Sequence, residues 1–372
     1  MAKKIAKWNG IVVAIVGILV AFLFLGSMDL TSFAMKKVQI ELPGYGNRMV
    51  MEAVGSVCVL LLLYFFGYTK VLADKGVGFL RGFYIGGFMT GYCVYVVFAQ
   101  ILLQRMSQKG QLEPVLNILM FLITMFFIGF NEEVIFRGII LNLFLDKFGN
   151  SKKGILISVI TSGVIFGSIH IINFFGGVSI GSVLVQVIEA ALLGILFAEI
   201  YLLSGNIWIV IAMHALTDVA SMMSSGIFGI GNETDAINKL SAINLIAIPI
   251  FLAPVLVLFR RKKLEQLVQR RCGCLVMATP EEAENTAIMS LVLGIISILL
   301  SCVFYGAPFG VVGLLGNYVA RKDGNTGGIQ TAGFVTSLIG TIFSAFMMLI
   351  MQMVVPYMDT SQMPAFWIGM NF

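Results

Sequence analysis

Charged residues are scarce in this sequence. Asp, Glu, Lys and Arg make up only 12% of its 372 residues, whereas soluble domains typically carry about 25%. Hydrophobic residues account for 59%, and the mean hydropathy is +0.97. This balance excludes a chain solvated mainly by water, and we expect the lipid bilayer, and not nucleic acid, to be its partner.

Cysteines are also few, and their placement favours no disulfide framework. The chain has five, an odd number, and Cys58, Cys93 and Cys302 fall within apolar runs. Cys272 and Cys274 lie together in a basic loop but lack the second cysteine or histidine pair of a closed zinc site. Redox chemistry is therefore not predicted.

Long apolar runs fill the rest of the chain. A helix that crosses a bilayer needs roughly 20 mostly apolar residues, because in hydrocarbon every backbone polar group must be paired within its own segment. The sequence predicts an all-α polytopic membrane protein with about eight helices in a core and two or three more at the C-terminus. The predicted spans are 11–27, 50–68, 79–103, 115–145, 155–175, 179–203, 206–224 and 242–259, followed by 287–304, 308–320 and 329–356.

Basic residues suggest where the regions divide and how the chain is oriented. We expect a core over 1–259, a basic cytoplasmic linker over 260–286 and a membrane domain over 287–372. Lys and Arg are more frequent in the alternate loops that include the N-terminus and the linker, which favours a cytoplasmic N-terminus. Pro280, followed by two glutamates, predicts the start of a helix after the linker.

Three predicted spans carry ionisable residues in patterned form. They read EEVIFR from Glu132 to Arg137, FGSIH from Phe166 to His170, and HALTD from His214 to Asp218. A charged side chain inside a bilayer costs about 2.5–3.5 kcal/mol on insertion scales, so its presence is by default a functional hypothesis. The two histidines are the only ones in the chain. Their gathering with these carboxylates indicates one functional site between residues 129 and 218.

Helical spacing assigns partners within each pattern. Glu133 and Arg137 are four residues apart, so they share a face and can form an ion pair that lowers the cost of burying both charges. Glu132 lies about 100° around the helix from Glu133 and faces a different neighbour. A same-face relationship is also predicted for His214 and Asp218.

Other readings of these residues remain open. A lone histidine in a membrane helix often only bonds to a neighbouring helix. Glu189 and Glu199, in the sixth predicted span, have no obvious basic partner and receive no catalytic role.

Carboxylates combined with two imidazoles suit amide hydrolysis, in which a general base takes a proton from water and polar groups stabilise the oxyanion. No G-x-S-x-G elbow lies beside the patterns and no H-E-x-x-H occurs. Water is therefore the expected nucleophile. A proton-coupled transporter is an alternative, because intramembrane Glu and His also form proton relays, but the inverted repeats that it would need are not evident.

The three patterns, in this order on separate spans, resemble the motifs E-E-x-x-x-R, F-x-x-x-H and H-x-x-x-N/D of the CPBP, or Abi, family of intramembrane proteases. That family includes type II CAAX prenyl endopeptidases and bacteriocin-processing and immunity proteins. The resemblance extends from about residue 50 to 260. It implies an intramembrane endopeptidase that cuts a peptide or membrane-anchored protein near the bilayer surface.

The resemblance also implies roles for individual residues. Glu132 is the general base and positions water with His170, whereas His214 and Asp218 form the oxyanion side. Glu133, Arg137 and Phe166 support the site. If the reaction needed zinc, Glu132, His170 and His214 would be its three ligands. We expect a metal-free glutamate mechanism and assign no cofactor.

Asp218 stands at the position where eukaryotic prenyl proteases have Asn. Bacterial relatives commonly have Asp there, so the resemblance implies a protein of the bacterial cytoplasmic membrane. Residues 287–352 resemble a small two-span domain family of unknown function, through segments such as MSLVLGIISILL and TAGFVTSLIGTI. The resemblance implies no chemistry there, and we expect a docking role toward a protein partner.

The alternative to a protease is a non-enzymatic immunity or scaffold protein that keeps the motifs for packing.

Overall fold

A computed structural model describes residues 7–107, 111–149, 151–238, 247–258, 260–271, 278–303 and 305–354. Throughout these ranges the regular structure is helical, and no strand is present among them. The all-α fold is confirmed. Cys272 and Cys274 lie outside the described residues.

Fifteen helices of more than one turn are labelled here in chain order. In the predicted core they are α1 (Gly10–Lys37), α2 (Gly46–Phe66), α3 (Phe79–Ile85), α4 (Gly87–Ser107), α5 (Val115–Glu133), α6 (Leu141–Phe148), α7 (Lys152–Ile169), α8 (Ile180–Ser204), α9 (Ile207–Ser221), α10 (Glu233–Asn238) and α11 (Ala247–Leu258). After these come α12 (Arg261–Arg271), α13 (Pro280–Leu300), α14 (Gly306–Lys322) and α15 (Gly328–Val354). A π-helix, Val134–Ile140, joins α5 to α6, and a 3₁₀ turn, His170–Phe174, follows α7.

Seven of the described helices are long and apolar enough to cross a membrane, so the chain is a multi-pass membrane protein. They are Gly10–Lys37, Gly46–Phe66, Val115–Phe148, Lys152–Phe174, Ile180–Ser204, Pro280–Leu300 and Gly328–Val354. Helices α9 and α14, at the predicted spans 206–224 and 308–320, have 15 and 17 residues and are too short to belong to this set. Part of the predicted span 242–259 lies outside the described residues.

The third predicted span is not one straight helix. Its two halves, α3 and α4, are bent by 86° at Gly86. A Cβ at Gly86 would overlap the side chain of Met213, and one at Gly82 would overlap Ile209. Because α3 lies so closely against α9, the chain turns sharply before α4 begins. The bent pair is either one broken span or a re-entrant loop, so the predicted single span over 79–103 stays a prediction.

Helices α7 and α8 pack closely through small residues. A Cβ at Gly163 would lie 2.8 Å from the backbone nitrogen of Ile195, and one at Gly167 would lie 2.7 Å from that of Ala191. Such close approach is typical of helix pairs in membranes. These two glycines therefore serve the packing of α7 against α8.

The last three helices form a unit held by serine and glycine. Ser290 donates to the carbonyl of Gly313, Ser297 to that of Gly306, and Ser301 to that of Gly340, with oxygen–oxygen distances of 2.8, 2.8 and 3.1 Å. Hydroxyl hydrogen bonds across helices are a usual means of association in hydrocarbon. Helix α14 of this unit packs against α3 and α4 of the core. Helix α13 begins with a capping box and Pro280, as predicted.

Candidate active site

The first motif lies where α5 passes into the π-helix. Glu133 and Arg137 are completely buried, and Nη1 of Arg137 donates to Oε1 of Glu133 over 2.7 Å. Nη2 of the same guanidinium donates to the carbonyl of Gly194 in α8, at 3.0 Å. The ion pair predicted from the four-residue spacing is confirmed, and it also ties α5 to α8.

The wider turn of the π-helix is supported by hydrogen bonds from side chains. The amide of Asn142 donates to the carbonyls of Arg137 and Gly138, both at 3.0 Å. Ser162 of α7 donates to the carbonyl of Phe136 at 3.1 Å. Single π turns inside α-helices occur frequently at functional sites. Nothing in the apolar spacing of this segment distinguishes a π-helix from an α-helix, so the sequence did not predict it.

His214 of α9 connects the first and third motifs. Its Nδ1 lies 2.7 Å from Oε1 of Glu133, the same oxygen that accepts from Arg137. Since a carboxylate accepts hydrogen bonds, Nδ1 is the protonated nitrogen of this contact. The other nitrogen, Nε2, lies 3.6 Å from Oε2 of Glu132 and 3.7 Å from Oδ2 of Asp218. The imidazole is therefore fixed on one side by Glu133 and faces two carboxylates on the other.

Phe166 and His170 bring the second motif to the same place. His170 begins the turn after α7, and its Nδ1 lies 3.1 Å from the carbonyl of Phe166. The Phe166 ring meets the His170 ring edge to face at 5.3 Å between centroids and the His214 ring at 5.9 Å. All three motifs thus gather around Phe166, which also lies 4.7 Å below the guanidinium carbon of Arg137.

Glu132 has no direct hydrogen bond or ion pair with His170 in the described part of the chain, and their predicted joint action on one water molecule stays a prediction. The contact of Glu132 is with His214. Helix spacing shows which residues of one helix share a face, but it does not determine which faces of separate helices meet. His170 and His214 nevertheless share one cavity.

That cavity has a volume of about 510 Å³ and opens between α4, α7, α8, α9 and α11. Its polar lining includes His170, His214 and Asp218 from the motifs, and Glu189 from α8. Aromatic side chains of α4 and α11, among them Tyr92 and Phe251, also line the cavity. Its size is sufficient for several side chains of a peptide.

Some polar atoms of the site have no hydrogen-bond partner in the described structure. They include Oδ2 of Asp218, Oε2 of Glu133 and Nε of Arg137. Groups of three or more His, Cys, Asp or Glu placed to hold a metal ion are absent from the described residues. Glu132, His170 and His214 therefore do not form a ready ligand set in this arrangement.

A buried polar network behind Glu132 was missed at the level of sequence. The Asn131 amide donates to Oε2 of Glu52 at 2.8 Å and to the Glu52 carbonyl at 2.9 Å, and its oxygen accepts from Ser56 at 2.7 Å. Arg48 donates to Oε1 of Glu52 at 3.0 Å. These contacts anchor α5 to α2 at the residue directly before Glu132. The signal was present, since Arg48 and Glu52 are four residues apart within an apolar run.

The two other carboxylates of α8 have different surroundings. Glu189 lines the cavity. Glu199 is completely buried, and neither of its oxygens has a hydrogen-bond partner among the described residues. Glu199 is not among the lining residues of this cavity.

Comparison with known proteins supports the motif-based assignment. Residues 114–220 match the family model described as "Type II CAAX prenyl endopeptidase Rce1-like". Searches of curated proteins and of solved structures gave no match. The matched segment contains the three motifs and the helices α5 to α9 that hold them. The resemblance inferred from these motifs is thereby confirmed: residues 114–220 are similar to the Rce1-like CAAX proteases.

Proposed function

We propose that the chain is an intramembrane endopeptidase that uses Glu132 to activate water. The supporting observation is the imidazole of His214, held through Nδ1 by Glu133 while Nε2 faces Glu132 and Asp218 at 3.6 and 3.7 Å. These two separations are too long for direct hydrogen bonds, and a water molecule can donate to Glu132 and accept from Nε2–H of His214.

In the proposed reaction Glu132 takes a proton from this water, and the hydroxide attacks the carbonyl carbon of the scissile peptide bond. The resulting oxyanion accepts a hydrogen bond from Nε2–H of His214. With Nδ1–H already donating to Glu133, this second proton makes the ring an imidazolium. The carboxylates of Glu132, Glu133 and Asp218 around one ring favour its positive charge. Protonated Glu132 then gives its proton to the leaving amine as the carbon–nitrogen bond breaks, which restores the Glu132 carboxylate.

Asp218 acts through His214 in this scheme. A carboxylate cannot itself stabilise an oxyanion unless it is protonated, but at 3.7 Å from Nε2 it can favour the imidazolium. His170 acts from the other wall of the cavity. Its Nδ1–H donates to the Phe166 carbonyl, so in the neutral ring Nε2 is free to accept from the substrate water.

The first experiment compares wild type, Glu132→Gln and His170→Ala in liposomes, with a library of membrane-anchored peptides followed by mass spectrometry. We expect both variants to lose about 10²–10⁴-fold in kcat/KM, the usual contribution of acid–base catalysis. Glu113→Gln is the matched control, because Glu113 is a carboxylate that precedes α5 outside the motifs. Unchanged cleavage by both motif variants would contradict the proposal.

The non-enzymatic alternative gives a different result in cells. Proteomic comparison of cells that carry wild type or Glu132→Gln should reveal a membrane protein or peptide that is processed only by the wild type. If Glu132→Gln fully replaces the wild type in every cellular phenotype, the chain acts by binding.

A further inference from the structure

Among the described lining residues of the cavity, Glu189 is the one carboxylate that the proposed reaction does not use. It belongs to α8 and lines the cavity together with Tyr92, Ala190 and Phe251. Tyr92 and Phe251 contact each other, with ring centroids 5.2 Å apart, and the Tyr92 ring lies within electrostatic range of the Glu189 carboxylate. A carboxylate beside two aromatic rings is a typical environment for a cation.

The cavity does not supply that cation itself. Its described lining residues include no lysine or arginine, and its ionisable nitrogens belong to His170 and His214. His214 is already surrounded by three carboxylates, and Nδ1 of His170 is bonded to a backbone carbonyl. An ionised carboxylate in a membrane segment is costly without a positive partner.

The position of Glu189 relates it to the reaction centre. Gly194, five residues further along α8, accepts the hydrogen bond from Arg137 and so marks the level of the first motif. Five residues span roughly 7.5 Å of helix axis at 1.5 Å per residue. An extended peptide covers this distance in two to three residues at about 3.3 Å each.

We propose that Glu189, with Tyr92 and Phe251, forms a subsite for a lysine or arginine side chain of the substrate, two to three residues from the scissile bond. This inference rests on the proposed protease function and adds a substrate class to it: a peptide with a basic residue close to the cleavage position. The aromatic rings contact the aliphatic stem and the face of the cation, and the carboxylate pairs with the charged head.

The test uses the full-length protein in liposomes and a set of membrane-anchored peptides in which each position around the cut is in turn Lys, norleucine or Glu. For wild type we expect at least a tenfold higher kcat/KM for Lys than for norleucine at one position within three residues of the cut. Glu189→Gln should reduce this preference to twofold or less. Glu189→Lys should reverse it, so that Glu becomes the favoured residue at that position.

Glu199→Gln is the matched control, because Glu199 is a carboxylate of the same helix that is absent from the cavity lining. It should keep the Lys preference of wild type. A preference that survives Glu189→Gln, or the absence of any position that favours Lys, would overturn the subsite.

A second readout separates this inference from the proposed function. The same Lys and norleucine peptides, carrying a photoreactive diazirine, are crosslinked to wild type, Glu189→Gln and Glu199→Gln. We expect the Lys peptide to label α4 and α8 more strongly than the norleucine peptide, and we expect only Glu189→Gln to lose this difference. That result supports the subsite even if no peptide is cleaved. In that case the protease proposal fails and the subsite stands. Equal labelling by both peptides contradicts the subsite.

Discussion

Nδ1 of His214 and Oε1 of Glu133 lie 2.7 Å apart, and the same oxygen accepts a 2.7 Å hydrogen bond from Arg137. One carboxylate oxygen therefore orients the imidazole and pairs with the buried guanidinium. The resemblance implied only a supporting role for Glu133. The geometry gives it a direct contact with a ring that faces Glu132 and Asp218.

Replacing Glu133 should separate its two roles. Glu133→Ala leaves Arg137 buried without its partner, and breaking a buried pair on one side typically costs about 3–5 kcal/mol. The double variant Glu133→Gln/Arg137→Met removes both charges and should recover much of this stability. It should not recover cleavage, because the charged acceptor for Nδ1–H of His214 is gone. SDS titration in mixed micelles measures the stability, and peptide cleavage measures the activity. Recovery of both would show that Glu133 serves packing alone.

The network behind Glu132 gives a second prediction. Asn131→Ala removes hydrogen bonds to the Glu52 carboxylate, the Glu52 carbonyl and Ser56. Each buried group left without a partner costs about 1–3 kcal/mol. We expect a clear loss of stability together with reduced cleavage, because α5 is released from α2 next to Glu132. Ser56→Ala removes one of these contacts and should be milder. A wild-type unfolding curve for Asn131→Ala would contradict this account.

The contacts within single helices could be predicted from the sequence, whereas the contacts between helices could not. The spacing of Glu133 and Arg137 correctly predicted their ion pair, and that of His214 and Asp218 correctly placed both on one face, although Nε2 and Oδ2 lie 3.7 Å apart and not within a direct hydrogen bond. The partner of Glu132 depends on how α5 and α9 are packed. Their packing depends on small residues such as Gly129, whose role no single-helix pattern reveals.

The bend at Gly86 could not be predicted from the sequence, for a similar reason. Mean hydropathy shows whether the composition of a segment favours lipid. Residues 79–103 have the same apolar composition whether the segment is straight or bent. The bend arises from the contact of Gly82 and Gly86 with Ile209 and Met213, which are distant in sequence. The domain boundaries near residues 259 and 287 stay predictions.

Gly129 provides a test of the α5–α9 contact. A Cβ at this position would lie 2.9 Å from the backbone nitrogen of Ala215 and 2.9 Å from the carbonyl oxygen of Ile211. Because both are backbone atoms, Gly129→Ala must move the helices apart and lengthen the contact between Glu133 and His214. We expect lower cleavage and lower stability. Gly26→Ala is the control, since nothing lies within 4 Å of its Cβ position, and it should stabilise by about 0.5–1 kcal/mol. Equal behaviour of the two variants would contradict the prediction.

The ion pair between Arg81 of α3 and Asp323 at the end of α14 joins the core to the C-terminal unit. Its side chains are only 22% and 13% exposed, whereas those of the pair Lys152–Glu265 are 41% and 44% exposed. Exposed pairs typically contribute about 0.2–1 kcal/mol, and a better shielded pair should exceed this range.

We therefore expect Arg81→Asp to destabilise the full-length chain and the exchange Arg81→Asp/Asp323→Arg to restore it. A double-mutant cycle by SDS titration isolates the coupling energy of each pair, with Lys152→Glu/Glu265→Lys as the matched exchange. Helix α3 packs against α9 through Gly82. Loss of the contact between α3 and α14 should therefore also displace α9, which carries His214, and Arg81→Asp should lower cleavage. A coupling energy no larger than that of the exposed pair would mean that other contacts hold the C-terminal unit to the core.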